Sequence, residues 1–324
     1  MNLNIKYRPN EFDDVIGQEN IIKSLQNDIT SNNISPAYLF VGNSGIGKTT
    51  MAKIFAKKIN SEILEIDAAS NNSVESIRSL IKLTETKPIC KNYYVIILDE
   101  CHSLSSSAWQ PLLSVLENPG YRKFIFCTTE VQKVPKTIYN RCIVHNFMNV
   151  SESLIVVRLK DICDKENIKY SNMSSLILIA QLAQGSVRQA ITYLETVKDD
   201  MYIDNVRKML CVGSYDNYFN ILFSIIDKNY KGLVENVDKI ENINSFVAGF
   251  FTFILDVNIY EKTKDIDLLH IPMVYKEELD SLSLIDFAVA KTILDKLYDL
   301  QFLGKQSPIL KQLFLGMCYI ICEK

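Results

Sequence analysis

Eight residues constrain this chain more than any other stretch: Gly42-Asn43-Ser44-Gly45-Ile46-Gly47-Lys48-Thr49 fits GxxxxGK[ST] without a gap. The motif follows the apolar run Tyr38–Val41 and precedes the helical run Met51–Ile59. Strand, glycine-rich turn and helix, in that order, are the context a phosphate-cradling loop requires. The glycines let backbone N–H groups curl around phosphate oxygens, and the following helix turns its positive end on them. Lys48 is expected to reach the β- and γ-phosphates of ATP, and the Thr49 hydroxyl to bind Mg²⁺. Thr50 completes the stretch expected to contact the nucleotide. A glycine-rich turn without a ligand has no need of the lysine and the threonine.

A second element lies about fifty residues on. Val95-Ile96-Ile97-Leu98-Asp99-Glu100 is an apolar strand ending in two carboxylates, and ligands of α/β sheets sit at such carboxyl ends. Asp99 is expected to hold the Mg²⁺ shell, and Glu100 to orient and deprotonate the attacking water. An Asp-Glu pair at a strand end is often only a solvated turn; the phosphate loop upstream favours the catalytic reading.

Around these motifs, residues 1–149 alternate short β-type runs with helical ones. The strand candidates are Ala37–Val41, Ile63–Asp67, Tyr94–Asp99, Phe124–Cys127 and Ile143–Phe147, continuously apolar as strands covered on both faces are. Helical stretches at Asn20–Ile29, Lys48–Ile59, Val74–Leu83 and Trp109–Glu117 make βα units, hence an α/β domain built on a parallel sheet with helices on both faces. Residues 150–210 carry only helical periodicity (Ser151–Glu166, Ser174–Gln184, Ser186–Lys198, with Gly185 as a helix stop), as expected of a small helical lid domain. Residues 211–324 are helical again: Tyr218–Asp227, Lys231–Ile240, Ser245–Tyr260, Leu284–Leu303 and Pro308–Cys322, with room for one short helix in Lys262–Ser283. Proline at 308 suits a first helical turn.

Composition narrows the partners. Of the 324 residues, 48% are apolar and 23% charged, ordinary for a soluble globular protein. No apolar run approaches the roughly 18–20 residues of a membrane span. The N-terminus lacks the charged-then-apolar layout of a signal peptide, so the expectation is a cytoplasmic protein with no membrane partner. Eight scattered cysteines without a CxxC pair read as small buried hydrophobes rather than a zinc site. Up to residue 210 there are 24 Lys+Arg against 22 Asp+Glu, but beyond it 11 against 16, and no arginine follows Arg207. Arginine suits forked phosphate recognition. Nucleic-acid contacts are therefore expected in the first two-thirds, and protein contacts in the acidic last third.

Further strings resemble the AAA+ sliding-clamp loaders, the bacterial DNA polymerase III gamma/tau family in particular and also replication factor C small subunits. Lys6-Tyr7-Arg8-Pro9 followed by Phe12-Asp13-Asp14-Val15-Ile16-Gly17-Gln18 looks like the loader N-terminus that covers the adenine, which implies base contacts from Tyr7, Arg8, Pro9, Val15 and Ile16. Ile66-Asp67-Ala68-Ala69-Ser70 and Asp99-Glu100-Cys101-His102-Ser103-Leu104 are similar to gamma/tau strings. In Thr128-Thr129-Glu130-Val131-Gln132-Lys133-Val134-Pro135, Thr129 stands at the first sensor position. Gly185-Ser186-Val187-Arg188 matches the second sensor, and Asn140-Arg141-Cys142 stands where loaders carry Ser-Arg-Cys. Physically, Thr129 can hydrogen-bond the γ-phosphate or the water, Arg188 can close the lid on the same phosphate, and Arg141 can reach a neighbouring subunit's ATP as an arginine finger. The alternative for Arg141 is a local surface salt bridge. The resemblance is specific over 1–210. Beyond that it rests on helical content and length, consistent with a collar that joins subunits in a ring, pentameric in the family.

The departures are informative. Ile59-Asn60-Ser61-Glu62-Ile63 runs straight into the next strand where gamma subunits insert a four-cysteine zinc module, and the long tau extension is lacking; the expectation is a pared-down loader, bacterial or bacteriophage-encoded, acting in the bacterial or host cytoplasm. Asn140 replaces the serine before the finger, Asn71-Asn72-Ser73 replaces basic residues, which leaves Arg78 and Lys82 as charges for DNA, and Pro111 falls in a helical stretch. The resemblance implies an ATPase subunit of a clamp loader, working with a sliding clamp, other loader subunits and primer–template DNA. The rival is a homo-oligomeric AAA+ DNA remodeller such as a branch-migration ATPase, which would carry a basic C-terminal domain. A non-hydrolysing structural subunit would lack the intact Lys48, Thr49, Asp99 and Glu100.

Overall fold

The computed structural model describes residues 2–170, 172–210, 213–240, 243–282, 292–298 and 310–323. The chain divides into two compact units, residues 1–168 with 179–198, and residues 169–178 with 199–324.

The first unit is built on a five-stranded parallel sheet: β1 Ala37–Val41, β2 Ser61–Asp67, β3 Tyr93–Asp99, β4 Arg122–Thr128 and β5 Ile143–Asn146, in the order β2-β3-β4-β1-β5. Alternation along each central strand separates two cores. Tyr38, Phe40, Val95, Ile97, Ile125 and Cys127 point to one face, packing on α2 (Glu19–Thr30) and α3 (Lys48–Lys58) through Leu25, Met51 and Phe55. Ala37, Leu39, Ile96, Leu98, Phe124 and Phe126 point to the other, packing on α4 (Val74–Leu83) and α5 (Trp109–Glu117) through Ile77, Trp109 and Leu112. Parallel strands joined by helical crossovers leave both faces covered, which is why β1, β3 and β4 read as continuous apolar runs. The two edge strands depart from that expectation. β2 exposes Glu62 and Asp67, and β5 exposes Ile143 and Asn146, because each has a neighbour on one side only.

Helix bounds follow the sequence closely. Ser73 caps α4, its side chain accepting from the Ser76 N–H. Pro111 is the third residue of α5, inside the first turn, where no intrahelical donor is lost. The unit also contains α7 (Glu152–Glu166) and α9 (Val187–Val197), while α8 (Met173–Leu182) ends short of Gly185. Two four-residue helices, α1 (Leu3–Lys6) and α6 (Lys136–Tyr139), are too short to leave a periodic signature.

The second unit is helical: Ile203–Met209, Gly213–Ile226, Tyr230–Asp238, Ile243–Thr263, Lys276–Ser281 and Leu310–Cys322, with residues 292–298 also helical. The stretch Lys262–Ser283 holds the one short helix expected there, preceded by two 3-10 turns. The sequence reading of Leu284–Leu303 falls mostly, and Pro308 and Cys211 fall wholly, outside the described residues. Its core is aromatic, with Tyr218, Phe219, Phe250, Phe253 and Phe314 in contact. Cys101, Cys127, Cys163, Cys318 and Cys322 are buried, as small hydrophobes are, whereas Cys90 is exposed. Among the described residues no helix is long and apolar enough to cross a membrane.

Candidate active site

Because β1, β3 and β4 run parallel, the residues at their carboxyl ends gather on one edge of the sheet. β1 runs into the glycine-rich loop, β3 ends in Asp99 followed by Glu100, and the Gly42 N–H donates to the Thr128 carbonyl at 3.1 Å, which ties the loop to the end of β4. A side chain is excluded from the loop at two glycines. A Cβ on Gly42 would stand 2.6 Å from the Phe147 carbonyl oxygen, and one on Gly45, at φ +76°, 2.2 Å from the Ser186 hydroxyl. The backbone can follow this path only without side chains there.

The loop opens on a cavity of about 290 Å³. Ser44, Gly45, Ile46, Gly47, Lys48, Thr49 and Thr50 line one side, Asp99 and Glu100 another, and Tyr7, Arg8, Pro9, Val15 and Ile16 a third. Arg188, the second residue of α9, lines it too, and its backbone N–H donates to the Gly45 carbonyl at 3.2 Å. Four expected site residues lie outside the lining. Gly42 and Asn43 shape the loop, their carbonyls accepting from Lys48 Nζ at 2.7 and 2.8 Å. Thr129 is half-buried just past the end of β4. Arg141 donates to the Thr137 carbonyl and to Glu117 Oε1, both at 2.8 Å, in a partly exposed pair.

Sequence reasoning missed Arg158 on α7. It lines the cavity, donates to the Tyr7 carbonyl at 2.9 Å and pairs with Asp161 at 3.2 Å. It belongs to no motif, and its proximity follows from the way α7 packs. The same holds for the ties on the N-terminal segment: Tyr7 OH donates to Glu166, the Leu3 N–H donates to Glu195 Oε2 at 3.1 Å, and Arg8 Nε donates to Thr50 Oγ1 at 3.2 Å. Together they strap residues 3–8 across α7, α9 and α3.

The electrostatics suit a polyanion. Lys48 is 5% exposed. Burial lowers its pKa from the ordinary 10.5, while the carboxylates of Glu100 and Asp99 act in the opposite sense. Burial drives the Cys127 thiol well above its ordinary value, so it stays neutral beside the lysine. Burial, then the hydrogen bond to Glu166, raises Tyr7 to about 12. Thr49 Oγ1 donates to Asp99 Oδ2 at 2.7 Å, which sets a hydroxyl and a carboxylate side by side. Hard oxygen donors so placed are the set Mg²⁺ takes when phosphates supply other ligands. The residues present therefore fit a magnesium nucleotide: a cation and helix N-terminus for the phosphates, oxygen donors for the metal, and an N-terminal wall for a base.

Comparison with known proteins follows the same line. Residues 38–150 match the model of the ATPase family associated with various cellular activities (AAA), which implies nucleotide binding. The DNA polymerase III subunit gamma/tau of Mycoplasma genitalium is 34% identical over 298 residues, 82% of this chain and 50% of that protein. The subunit tau of Bacillus subtilis is 35% identical over 269 residues, 72% of this chain and 46% of that one. The chain thus spans about half the length of these two relatives. The shorter subunit gamma of Buchnera aphidicola subsp. Baizongia pistaciae is 34% identical over 258 residues, 71% of this chain and 70% of that one. Among solved structures, the Thermotoga maritima RuvB Holliday junction branch migration motor aligns with a TM-score of 0.54 at 21% identity, over 75% of this chain and 85% of that one, a likeness of fold alone. On the sequence relatives, and with the AAA fold and its loop in place, this chain belongs to the DNA polymerase III gamma/tau subunit family of AAA+ proteins.

Proposed function

We propose that the chain is the ATPase subunit of a sliding-clamp loader, coupling ATP hydrolysis to placement of a clamp on primer–template DNA in the cytoplasm. The observation that carries this reading is the convergence of Lys48, Thr49, Asp99 and Glu100 on a shared cavity in a member of this family. In the reaction, Lys48 exchanges its contacts with the Gly42 and Asn43 carbonyls for phosphate oxygens, and the N–H groups opening α3 cradle the same anion. Thr49 and Asp99 would hold Mg²⁺, which would supply charge neutralisation for the triphosphate. Glu100 orients the attacking water and accepts its proton. Thr129 and Arg188 respond to the γ-phosphate, Arg141 serves the ATP of a neighbouring subunit, and Tyr7, Arg8, Pro9, Val15 and Ile16 hold the base. Residues 1–149 act as the nucleotide domain, 150–210 as the lid and 211–324 as the collar of a pentameric ring with other loader subunits.

The test is capture of the source's own sliding clamp, with and without a non-hydrolysable ATP analogue, beside steady-state hydrolysis. Capture should need the analogue and be lost in Lys48→Ala, which no longer binds nucleotide. Glu100→Gln should bind nucleotide and capture the clamp without turnover. Clamp capture indifferent to nucleotide, or turnover persisting in Lys48→Ala, sinks the reading.

A further inference from the structure

His102 stands three residues after Asp99, in the short turn that follows β3, and only 15% of its side chain is exposed. Its ring touches three groups. Nε2 is 3.3 Å from Glu130 Oε1, and Nδ1 is 3.1 Å from Thr128 Oγ1 and 3.4 Å from Glu100 Oε2. Glu130 is also bonded by Lys133 at 2.9 Å, and that hydrogen bond lowers the Glu130 pKa. An ionised carboxylate only accepts, so Nε2 carries the proton that faces it. The Thr128 hydroxyl, already accepting from the Glu130 N–H at 2.9 Å, can then donate its own proton to Nδ1. Each ring nitrogen thus has a polar neighbour other than Glu100, Thr128 at Nδ1 and Glu130 at Nε2.

Glu100 itself sits in the left-handed region at φ +47°, and its Oε2 is shut off from solvent with no hydrogen-bond partner. An unpaired buried carboxylate oxygen is costly, and it is an acceptor held in readiness. The imidazole edge forms the wall against which that oxygen rests, and the same ring is anchored on the two residues that flank Thr129.

We propose that His102 is a positioning residue that fixes the Glu100 carboxylate for the water and links its placement to the Thr128–Glu130 segment. The inference rests on the reading of Glu100 as the water-orienting carboxylate. Movement of the segment bearing Thr129 then moves Glu100 through a rigid ring, so contact with the γ-phosphate and readiness for hydrolysis are coupled.

The experiment uses the full chain, alone and assembled with its partner subunits. His102→Phe keeps the ring and removes both nitrogens. It should lower kcat about ten- to a hundredfold, the range a misplaced reacting group costs, with the KM for ATP and the Tm nearly unchanged. His102→Asn, whose amide reaches the Nδ1 position, should recover part of the loss. Combining His102→Phe with Glu100→Gln should be no slower than Glu100→Gln alone, since the histidine acts through the glutamate. The chain has three histidines, so the His102 ring nitrogens can be followed by NMR without turnover. Their shifts should change in Glu100→Gln and in Glu130→Gln. Normal kcat in His102→Phe while Glu100→Gln is dead, a loss of kcat accompanied by a raised KM and a lowered Tm, or ring shifts indifferent to both glutamates would overturn the proposal. Normal turnover in Glu100→Gln would instead remove the reading beneath it.

Discussion

Arg141 shows how one residue can satisfy two descriptions. In the single chain its guanidinium is held by Glu117, a pair in which the Arg141 side chain is 38% and the Glu117 side chain 59% exposed. Such pairs contribute about 0–1 kcal/mol. Arg141→Ala should therefore leave the Tm and ATP affinity of the isolated chain almost unchanged. In an assembled ring it should cut clamp- and DNA-stimulated hydrolysis steeply, since an arginine finger is worth roughly 10³–10⁵ in rate. A melted monomer, or unaffected assembled turnover, would reduce Arg141 to a local structural role. His145 makes a separate case. It stacks on Tyr38 with ring centroids 6.1 Å apart, and its Nε2 is buried without a hydrogen-bond partner. Burial lowers its pKa from 6.5, opposed by Asp28. Below the ordinary value the unfolded chain binds the proton more readily than the folded one, so stability falls as pH drops from about 6.5 towards the folded pKa and levels off below it. Thermal melts between pH 7 and 5 should show this slope, and His145→Phe, which keeps the stack, should flatten it.

At the scale of elements, the glycine-rich loop and α9 are built against each other. Ser186 caps α9 by accepting from the Gln189 N–H at 3.3 Å, and the same hydroxyl occupies the space beside Gly45. Gly45→Ala combines a left-handed conformation with a clash on that cap, so it should cost about 1–3 kcal/mol from backbone strain and the lost cap. It should also weaken nucleotide binding, because Arg188 is anchored on the Gly45 carbonyl. Adding Ser186→Gly removes the clash and, as glycine costs only a few tenths at an N-cap, should return part of the Tm. If the double variant melts no higher than Gly45→Ala, the contact between loop and helix is not what limits this position.

For the whole molecule, the charge divides at residue 210, inside the helical unit, which takes in residues 169–178 and begins again at 199. Every residue lining the cavity beside the glycine-rich loop lies in the first unit. The helical unit has its own aromatic core, with Tyr275 buried and donating to Asp216 at 2.8 Å. A chain truncated after residue 210 should therefore still fold and bind ATP but lose assembly with partner subunits. Size-exclusion profiles and nucleotide titration of both forms decide it. Normal assembly of the truncated chain would show that residues 211–324 are not the joining surface.

The phosphate loop, the Asp99–Glu100 strand end and the alternation of strand and helix were legible in the amino-acid sequence because each is local: a spacing of a few residues, or a periodicity along one element. β1, α4 and α5 lie where their patterns place them, residue for residue. The family strings carried Tyr7, Arg8 and Arg188 to the cavity they line. Other features depend on residues far apart in the chain. The strand order, the exposure of β2 and β5 as edges, Arg158 against Tyr7, Arg141 on Glu117, and His102 between Glu100 and Glu130 were decided only by packing. None leaves a pattern along the chain, since a contact across a sheet or between helices is set by which surfaces bury each other, and many sequences present the same surface.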